Sequence, residues 1–556
     1  MSIPTTVQQL VAERFRESGL DPVTIQVKSF PGETIVVVEV DRDYDRAVAV
    51  ARELDAHIES GFVTVRLAVP GRKPQQRTPV SGVHDDRIPA LIELMNARAR
   101  TSEAQPSLRY VADVAERISL AVAPRHHLVF GRRGVGKTAL LLEAKRVVEK
   151  QGALTLWVNM HPLRELSKED AFLTIGLRLC DLGIGALSGH HSDDATRLLT
   201  IVRAQLESGL ESSHEKRFRP ATLVPKLQHA VARLCTTTTQ PIYIFLDDIH
   251  YMNVGEVPGL LDLLHGISRD NPVWLKVAGI RHQTRWFTPN PPVGLQTGHD
   301  ASIINLDITL EQPARAKTFL EDILRSYVEE SQTVPARNFL SGAALDRLVL
   351  ACGGVPRDFL TLCVEALQIA RQRTNARTVG VQDVNHAAGA AAQTKVQELE
   401  DDAAAARGRS QDLVSALNSV RVFLLDQKQI TFLSVDFLDK ERHPQEYALM
   451  QGLMDLRMLH LINSGLSDAH QAGRRSEVYL LDLSQYSGAR LKRNLSVLDF
   501  VKDHLVLKKT RGEAPARIGD TPRKLVELLR RGPIFDLAIL SQIVEQPAVE
   551  VAESVL

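Results

Sequence analysis

The sequence predicts an α/β fold, in which a parallel sheet with flanking helices precedes a helical lid and a C-terminal winged helix, and follows a small N-terminal αβ domain. Strand-like runs recur between helical stretches from residue 107 to 310, which is typical of βαβ units. Past Pro313 the pattern is helical, and near residue 460 helices give way to a hairpin. The 556 residues, 44% hydrophobic and 24% charged, suffice for roughly three or four globular domains.

Residues 1–70 predict the small αβ domain. "VQQLVAERFRESG" and "YDRAVAVARELDAHIE" have helical spacing, whereas "ETIVVVEV" and "FVTVRLAV" are typical of strands. No clustered His, Cys or Ser/His/Asp arrangement occurs in this part, so we expect a partner or assembly module there. Residues 71–106 form a predicted linker, because the stretch from Pro70 to Gly82 is rich in Pro, Gly and charge.

Residues 107–310 are predicted to form the αβ core, and residues 311–407 are predicted to form the lid. In the core, the helical stretch "LRYVADVAERISLAV" leads into the strand "HLVF", and four more strand-like runs follow: "LTLWVNM", "IYIFLDD", "VWLKVAGI" and "IINLDITL". The lid consists of predicted helices only: "ARAKTFLEDILRSYV", "GAALDRLVLACGG", "PRDFLTLCVEALQIARQR" and "VQDVNHAAGAAAQTKVQELEDDAAAA".

A phosphate-binding loop follows the first core strand. The stretch "GRRGVGKT" matches G-x-x-x-x-G-K-[ST], in which glycines let backbone N–H groups converge on phosphate oxygens. Lys137 would reach the β- and γ-phosphates of ATP, and the Thr138 hydroxyl would bind Mg²⁺. A chance glycine-rich turn is the alternative, but the position between a strand and a helix favours the P-loop (Walker A), whose helix dipole also attracts phosphate. The predicted nucleotide-binding residues are Gly131, Arg132, Arg133, Gly134, Val135, Gly136, Lys137, Thr138 and Ala139.

Two carboxylates end a later strand. In "PIYIFLDDIHYMN" the apolar run is followed by Asp247, predicted to hold Mg²⁺, and Asp248, predicted to polarise the attacking water. Solvated acids at an ordinary strand end are the alternative, which the P-loop upstream disfavours.

Two arginines are candidate sensors of the γ-phosphate. The next strand, "VWLKVAGIRH", ends at Arg281, on the side where a parallel sheet binds its ligand. Arg357 begins a helix after the turn "CGGVP" in the helical region. Each has an alternative interpretation, a solvated arginine at a strand end and a plain helix-start arginine, respectively.

With these elements in order, residues from about 107 to 400 resemble the AAA+ ATPases, nearest to the origin-recognition and replication-initiator (ORC/CDC-type) group, with features of the STAND signalling ATPases. The resemblance implies ATP binding between core and lid, ATPase activity, Arg357 as sensor 2, Arg281 near the sensor 1 position, and oligomerisation that depends on ATP. It also implies an arginine finger from a neighbouring subunit, for which Arg269 and Arg285 are candidates.

Two departures from the AAA+ pattern predict slow hydrolysis. AAA+ motors carry Asp-Glu where this chain has Asp247 and Asp248, and the shorter carboxylate holds the attacking water less favourably. The strand that usually ends in a polar sensor 1 residue ends here in "AGIRH", which is closer to the STAND pattern.

Residues 408–487 predict a winged-helix domain: helix "SQDLVSALNSVRVFLLDQ", helix "PQEYALMQGLMDLRML", and a hairpin whose polar tip includes Arg474 and Arg475. The predicted recognition helix carries Glu446 and Asp455 against Arg457, so it is poorly equipped to read bases. Residues 488–556 predict a basic helical extension, because residues 490–531 carry a net charge of +7. Candidate DNA contacts are Arg474, Arg475, Arg490, Lys492 and Arg493, and a packing or self-association module is the alternative.

The whole chain excludes some classes of protein. Basic and acidic residues balance at 67 each, so any basic surface is local. The four cysteines show no CxxC spacing, which predicts burial in a reducing cytosol. Neither a secretory signal nor an apolar run of membrane-spanning length occurs, and we expect a cytoplasmic protein. Two hypotheses remain: a slowly hydrolysing ATP switch associated with double-stranded DNA, or a STAND-like regulatory ATPase acting on a protein partner with a structural winged helix.

Overall fold

The chain forms two compact units in the computed structural model: Met1–Ser81 with Arg373–Arg377, and the remainder. The structure describes residues 4–22, 24–30, 33–55, 58, 61–67, 82–98, 117–188, 193–211, 220–405, 409–468, 471, 473–487, 495–501, 504–509 and 522–544. Among these, no helix combines the length and apolar character that crossing a membrane requires. All four cysteines are buried, as predicted.

The N-terminal unit is a three-stranded sheet with two helices. Strand β1 pairs antiparallel with β2, and β2 pairs parallel with β3 through the crossover helix α2. The apolar residues of α1 and α2 pack on one face of this sheet, around Phe15 and Val38. The elements are α1 (Pro4–Glu17), β1 (Thr24–Phe30), β2 (Glu33–Val40), α2 (Tyr44–Asp55) and β3 (Gly61–Leu67).

The larger unit is built on a parallel sheet of five strands in the order β10-β4-β7-β6-β5. The strands are β4 (His126–Phe130), β5 (Leu154–Asn159), β6 (Ile242–Asp247), β7 (Val273–Gly279) and β10 (Ala301–Asn305). They are nearly continuous apolar runs because both faces are covered: Ile244 faces one core cluster, and Phe245 faces the other. Helices pack on both faces of the sheet, which gives the predicted α/β core.

Helices α6 to α9 cover one face of this sheet, and α4 and α5 cover the other. Helix α6 begins at a Ser167 cap that accepts a hydrogen bond from the Asp170 N–H at 3.1 Å. A small hairpin of β8 (Phe287–Pro289) and β9 (Pro292–Gly294) follows β7. The helices before and within the core are α3 (Ile88–Ala97), α4 (Arg117–Val122), α5 (Lys137–Lys150), α6 (Lys168–Leu187), α7 (Asp193–Glu211), α8 (Val224–Thr238) and α9 (Val257–Ser268). Helix α3 lies within residues 71–106 and buries Leu91 and Met95, so the prediction of a linker there is wrong for this helix.

The lid is helical, as predicted. It consists of α10 (Pro313–Glu330), α11 (Ala336–Phe339), α12 (Gly342–Cys352), α13 (Pro356–Arg371) and α14 (Val381–Ala405). Helix α12 begins at a Ser341 cap and ends at Gly353, which adopts φ +58°. Glycine is favoured at helix ends because it adopts this left-handed conformation readily. Pro356 then starts α13, so a two-glycine turn separates the two lid helices next to the core.

A winged helix follows the lid. Its three strands pair antiparallel in the order β11-β13-β12, and α17 occupies the position of a recognition helix. The elements are α15 (Arg409–Arg421), β11 (Phe432–Asp436), α16 (Phe437–Arg442), α17 (Pro444–Asp455), β12 (Leu459–Ser467) and β13 (Arg475–Leu481). Core, lid and winged helix together are the fold that the resemblance to AAA+ ATPases predicts, so the fold prediction is confirmed.

The C-terminal extension is not purely helical, so that prediction is wrong in part. It begins with an antiparallel hairpin of β14 (Ser496–Val501) and β15 (His504–Lys509), before α18 (Pro522–Arg530) and α19 (Ser541–Val544). The apolar runs in "SVLDFV" and "HLVLKK" suit strands that are covered on both faces: Leu498 and Phe500 are buried, and so are Val497 and Asp499, whose side chains point the other way. The charge of this segment does not determine its secondary structure.

Candidate nucleotide-binding site

The loop between β4 and α5 has the backbone that a P-loop needs. Gly134 (φ +80°) and Gly136 (φ +100°) both adopt left-handed conformations, which a residue with a Cβ atom rarely adopts. A Cβ atom on Gly134 would also lie 2.8 Å from the Cβ of Arg357. Glycine is therefore required at this position by the backbone and by its neighbour.

Lys137 is the first residue of α5 and is 6% exposed. Its Nζ donates hydrogen bonds to the carbonyl oxygens of Gly131 at 2.9 Å and Arg132 at 3.2 Å, so the side chain folds over the loop. Burial lowers the pKa of Lys137, and the charges of Asp248 and Asp247 oppose that shift. The ammonium is thus held where phosphate oxygens would meet the loop.

Thr138 and Asp247 meet although 109 residues separate them. The Thr138 hydroxyl donates to Asp247 Oδ2 at 2.8 Å, and Asp247 is the buried last residue of β6. Burial, followed by the charge of Asp248, raises the pKa of Asp247 to about 7. Its other oxygen, Oδ1, is buried without a hydrogen-bond partner among the residues that the structure describes. Hard oxygen donors of this kind are suited to Mg²⁺, so these two residues fit the predicted cation.

Asp248 leaves the strand in a left-handed conformation, with φ +59°. This turn directs the chain into the short 3₁₀ segment Ile249–Tyr251 and leaves the Asp248 carboxylate about one-third exposed. Nδ1 of the buried His250 ring lies 3.9 Å from Asp248 Oδ1. Burial lowers the pKa of His250 well below its usual range. A neutral imidazole and a solvent-accessible carboxylate therefore stand side by side next to Asp247.

The side chain of Arg132 has a partner that the sequence did not indicate. It is buried, and its Nε lies 3.2 Å from Asp307 Oδ1. Its Nη2 donates to the carbonyl oxygens of Ile308 at 3.0 Å and Gly353 at 3.2 Å. Arg132 therefore binds the loop to the lid turn. Its backbone N–H is engaged as well, because it donates to Asp307 Oδ1 at 2.9 Å.

Arg357 lies against the P-loop, as the sensor 2 prediction requires. Its backbone N–H donates to the Gly134 carbonyl at 3.3 Å, and its side chain is half-buried. The close approach depends on the turn before it, where Gly353 and Gly354 both have positive φ. The structure therefore brings lid and loop together at this arginine, whose role toward a nucleotide stays a prediction.

Arg281 is exposed and lies two residues beyond Gly279, the last residue of β7. Strand β7 lies between β4 and β6 in the sheet, so Arg281 shares an edge with the P-loop and the two aspartates. The arginine-finger candidates Arg269 and Arg285 are exposed as well. Arg269 precedes β7 and so lies toward the opposite edge, whereas Arg285 follows it.

The predicted DNA contacts divide into three groups. Arg474 forms an ion pair with Asp436, and its Nη1 donates to Gln471 Oε1 at 2.9 Å, so its charge is already paired. Arg475 is exposed at the start of β13. Arg490, Lys492 and Arg493 lie outside the described residues.

Helix α17 is held by its own chain at both ends. Near its start, Glu446 Oε1 accepts a hydrogen bond from the Ser541 hydroxyl of α19 at 2.7 Å. At its end, Asp455 Oδ2 accepts one from Gln283 Nε2 at 3.1 Å and contacts Nε2 of His282. Its apolar residues, such as Met450 and Leu453, are buried. These contacts fix the position of α17 within the chain.

Solved structures of other proteins are similar to this chain at low sequence identity. No family model matches the chain, and no curated protein matches it either. Orc1 of Aeropyrum pernix, solved in complex with DNA, is similar at 16% identity and a TM-score of 0.34, over 67% of this chain and 91% of that one. Cdc6p of Pyrobaculum aerophilum is similar at 12% identity and a TM-score of 0.29, over 65% and 86%. The RuvB branch migration motor of Thermotoga maritima is similar at 13% identity and a TM-score of 0.28, over 54% and 81%.

Proposed function

We propose that this chain binds ATP with Mg²⁺ at the junction of core and lid, hydrolyses it slowly, and uses the nucleotide as a switch. The observation that carries the proposal is the hydrogen bond from Thr138 to Asp247, next to the buried Lys137. A threonine that follows a loop lysine and an acid that ends a distant strand meet in this way when both serve one cation.

Each residue of the site has a distinct task in this proposal. The loop N–H groups and Lys137 bind the β- and γ-phosphates, and the Arg357 backbone keeps the lid against that loop. Thr138 and Asp247 hold Mg²⁺, which would neutralise phosphate charge when bound. Asp248, the exposed carboxylate beside them, orients the attacking water and takes up its proton.

Slow turnover follows from the residue at the position of the water-orienting acid. Asp248 has a side chain one methylene shorter than glutamate, and its left-handed backbone fixes the direction in which that short side chain leaves the strand. Because a small misplacement of the reacting water reduces the rate steeply, we expect turnover below the range of about 1–100 s⁻¹ that phosphoryl-transfer enzymes such as kinases reach.

Replacing Asp248 with asparagine should reduce turnover about 100-fold and leave the Kd for ATP within about threefold. Asparagine tolerates the left-handed backbone as aspartate does, so only the proton acceptor is lost. Steady-state phosphate release and calorimetric titration measure the two quantities, and Asp194→Asn, at an exposed position of α7, is the matched control. Unchanged turnover in the Asp248 variant would remove this residue from the mechanism.

We also propose that the wing and α18 contact DNA through phosphates. Arg530 of α18 donates to the backbone oxygen and the hydroxyl of Ser467, both at 2.9 Å, which fixes α18 beside the turn end of the β12–β13 hairpin, the wing. Ser467 pairs with the exposed Arg475 across the hairpin. The wing–α18 surface therefore groups these exposed basic side chains: Arg475, Arg523, Lys524, Arg530 and Arg531. Such a surface binds the phosphate backbone with little dependence on sequence.

Replacing Arg475 with alanine should weaken binding to any duplex and flatten the slope of log K against log salt concentration by about one unit. Arg474→Ala should change the slope less, because Arg474 is already paired with Asp436. Fluorescence anisotropy on a random duplex at several salt concentrations, with and without ATP and Mg²⁺, measures both. Lys150→Ala, at the far end of α5, is the control. No binding by the wild type at low salt would reject the DNA proposal.

A regulatory ATPase acting on a protein partner is the second candidate. The specific observation in its favour is that α17 is held at both ends, by Ser541 and by the loop after β7. A helix engaged in this way serves packing within the chain. If the duplex assay is negative while ATP binds, this candidate is the better one.

A further inference from the structure

A buried histidine lies beside the carboxylate to which the proposed function assigns the attacking water. The side chain of His250 is 3% exposed, and its Nδ1 lies 3.9 Å from Asp248 Oδ1. This Nδ1 is buried and makes no hydrogen bond to any residue that the structure describes. A buried polar atom without a partner typically costs about 1–3 kcal/mol, so a contact that closes the gap to Asp248 is favoured.

Aromatic neighbours hold the His250 ring in place. Tyr251 stacks on it, with ring centroids 4.6 Å apart and planes 30° apart, and His161 contacts Tyr251 edge-on at 4.6 Å. His161 follows β5 and His250 follows the neighbouring strand β6, so two adjacent strands supply these rings. The ring is therefore fixed by packing, whereas the Asp248 carboxylate, one-third exposed, is the freer partner.

The imidazole of His250 is neutral at physiological pH. Burial, followed by the charges of Lys137 and Arg133, lowers its pKa. A neutral imidazole carries one N–H, and the hydrogen bonds of its two nitrogens decide which of them carries the proton. An ionised carboxylate only accepts hydrogen bonds, so the neighbouring Asp248 favours the tautomer that is protonated on Nδ1.

We propose that His250 is a positioning residue for Asp248: its Nδ1–H donates to Oδ1 of the carboxylate and leaves Oδ2 to face the attacking water. A rotation of the carboxylate that closes the gap by about 1 Å gives a hydrogen bond of ordinary length. Asp248 leaves the strand at a fixed left-handed backbone angle, so its side-chain torsions alone decide where the two oxygens lie. A charge-assisted hydrogen bond from a packed ring restricts those torsions.

This inference rests on the proposed function, because it assumes that Asp248 orients the water. In this arrangement the ring acts through Asp248 alone. Loss of the contact should therefore reduce the rate of hydrolysis and leave the affinity for ATP unchanged.

Two substitutions of similar polarity separate the Nδ1 contact from general packing. The amide nitrogen takes the place of Nδ1 in His250→Asn and the place of Nε2 in His250→Gln. Steady-state phosphate release should stay within about threefold of the wild type in His250→Asn and fall about tenfold in His250→Gln. Calorimetric titration should give a Kd for ATP within about threefold of the wild type in both. His229→Gln, at an exposed position of α8, is the matched control and should leave both quantities unchanged.

A double-mutant cycle tests whether His250 acts through Asp248. In the Asp248→Asn background, His250→Gln should change phosphate release by less than about twofold, because the carboxylate that His250 positions is already absent. A tenfold loss in that background overturns the positioning role, as do equal rates in the two single variants of His250.

The tautomer of His250 provides a readout that needs neither turnover nor a folded variant. Long-range nitrogen–proton NMR spectra of the full chain, labelled at histidine, should show the proton of His250 on Nδ1, and loss of the signal in His250→Asn assigns it. A proton on Nε2 overturns the proposal even if a thermal melt shows that His250→Gln is unfolded. If the wild type releases no phosphate, or if Asp248→Asn leaves the release unchanged, the proposed function itself fails. Failure of the positioning role alone leaves Asp248→Asn slow, so the two failures are distinguishable.

Discussion

Replacing Lys137 with alanine is expected to weaken ATP binding by about two to three orders of magnitude. The Nζ is buried over the loop, so the ammonium would face the phosphates with little water between them. Removing one partner of a buried, hydrogen-bonded charge pair typically costs about 2–5 kcal/mol, and 1.4 kcal/mol is a factor of ten in Kd. Calorimetric titration with ATP and Mg²⁺ measures the change.

Lys150→Ala is the control for this prediction. It removes a lysine from the exposed far end of the same helix, so it changes the net charge equally and leaves the loop intact. Wild-type affinity in the Lys137 variant would reject the P-loop assignment. Equal losses in both variants would mean that charge alone, and not the position over the loop, governs binding.

The candidate nucleotide-binding edge of the sheet was predictable from sequence because two local patterns suffice for it. The motif that ends in Lys137 and Thr138 fixes a strand, a loop and a helix, and "IYIFLDD" fixes a buried strand that ends in acids. Parallel strands bind their ligands at one edge, so the two patterns alone predict that Thr138 and Asp247 lie close together. The distance between Thr138 Oγ1 and Asp247 Oδ2 is 2.8 Å. The fold class was predictable for the same reason: alternation of strands and helices needs no long-range contact to be recognised.

The contacts that connect the domains were not predictable, because their partners are far apart in sequence. Arg132 was interpreted as a nucleotide-binding residue, yet its side chain bonds Gly353, 221 residues away. The acidic residues of α17 argue against base reading from the sequence alone, and that stays a prediction, but nothing local indicates that Asp455 meets His282. Lys276 shows the same limit: it stands within an apolar strand, and its Nζ is satisfied by the carbonyl oxygens of Ala123 and Arg125 and by His127.

A buried ion cluster connects lid and winged helix, with Asp482 at its centre. Its Oδ2 lies 3.0 Å from Lys395 Nζ and 2.7 Å from His460 Nε2, and Oδ1 accepts a hydrogen bond from the Ser484 N–H at 3.0 Å. Burial raises the pKa of Asp482, but the charge of Lys395 and the hydrogen bond from His460 outweigh burial and hold this pKa far below its usual range. The carboxylate is therefore charged and fully bonded in the folded protein.

Replacing Asp482 with alanine is expected to lower the free energy of unfolding of the lid and winged helix by about 3–5 kcal/mol, because Lys395 would be left as a buried charge that has lost its closest partner. Asp181→Ala is the control: its ion pair with Arg203 is largely exposed, and losing it should cost about 0–1 kcal/mol. Urea unfolding followed by circular dichroism measures the transition. Equal midpoints for the two variants would mean that packing of apolar residues, rather than this cluster, holds the winged helix to the lid.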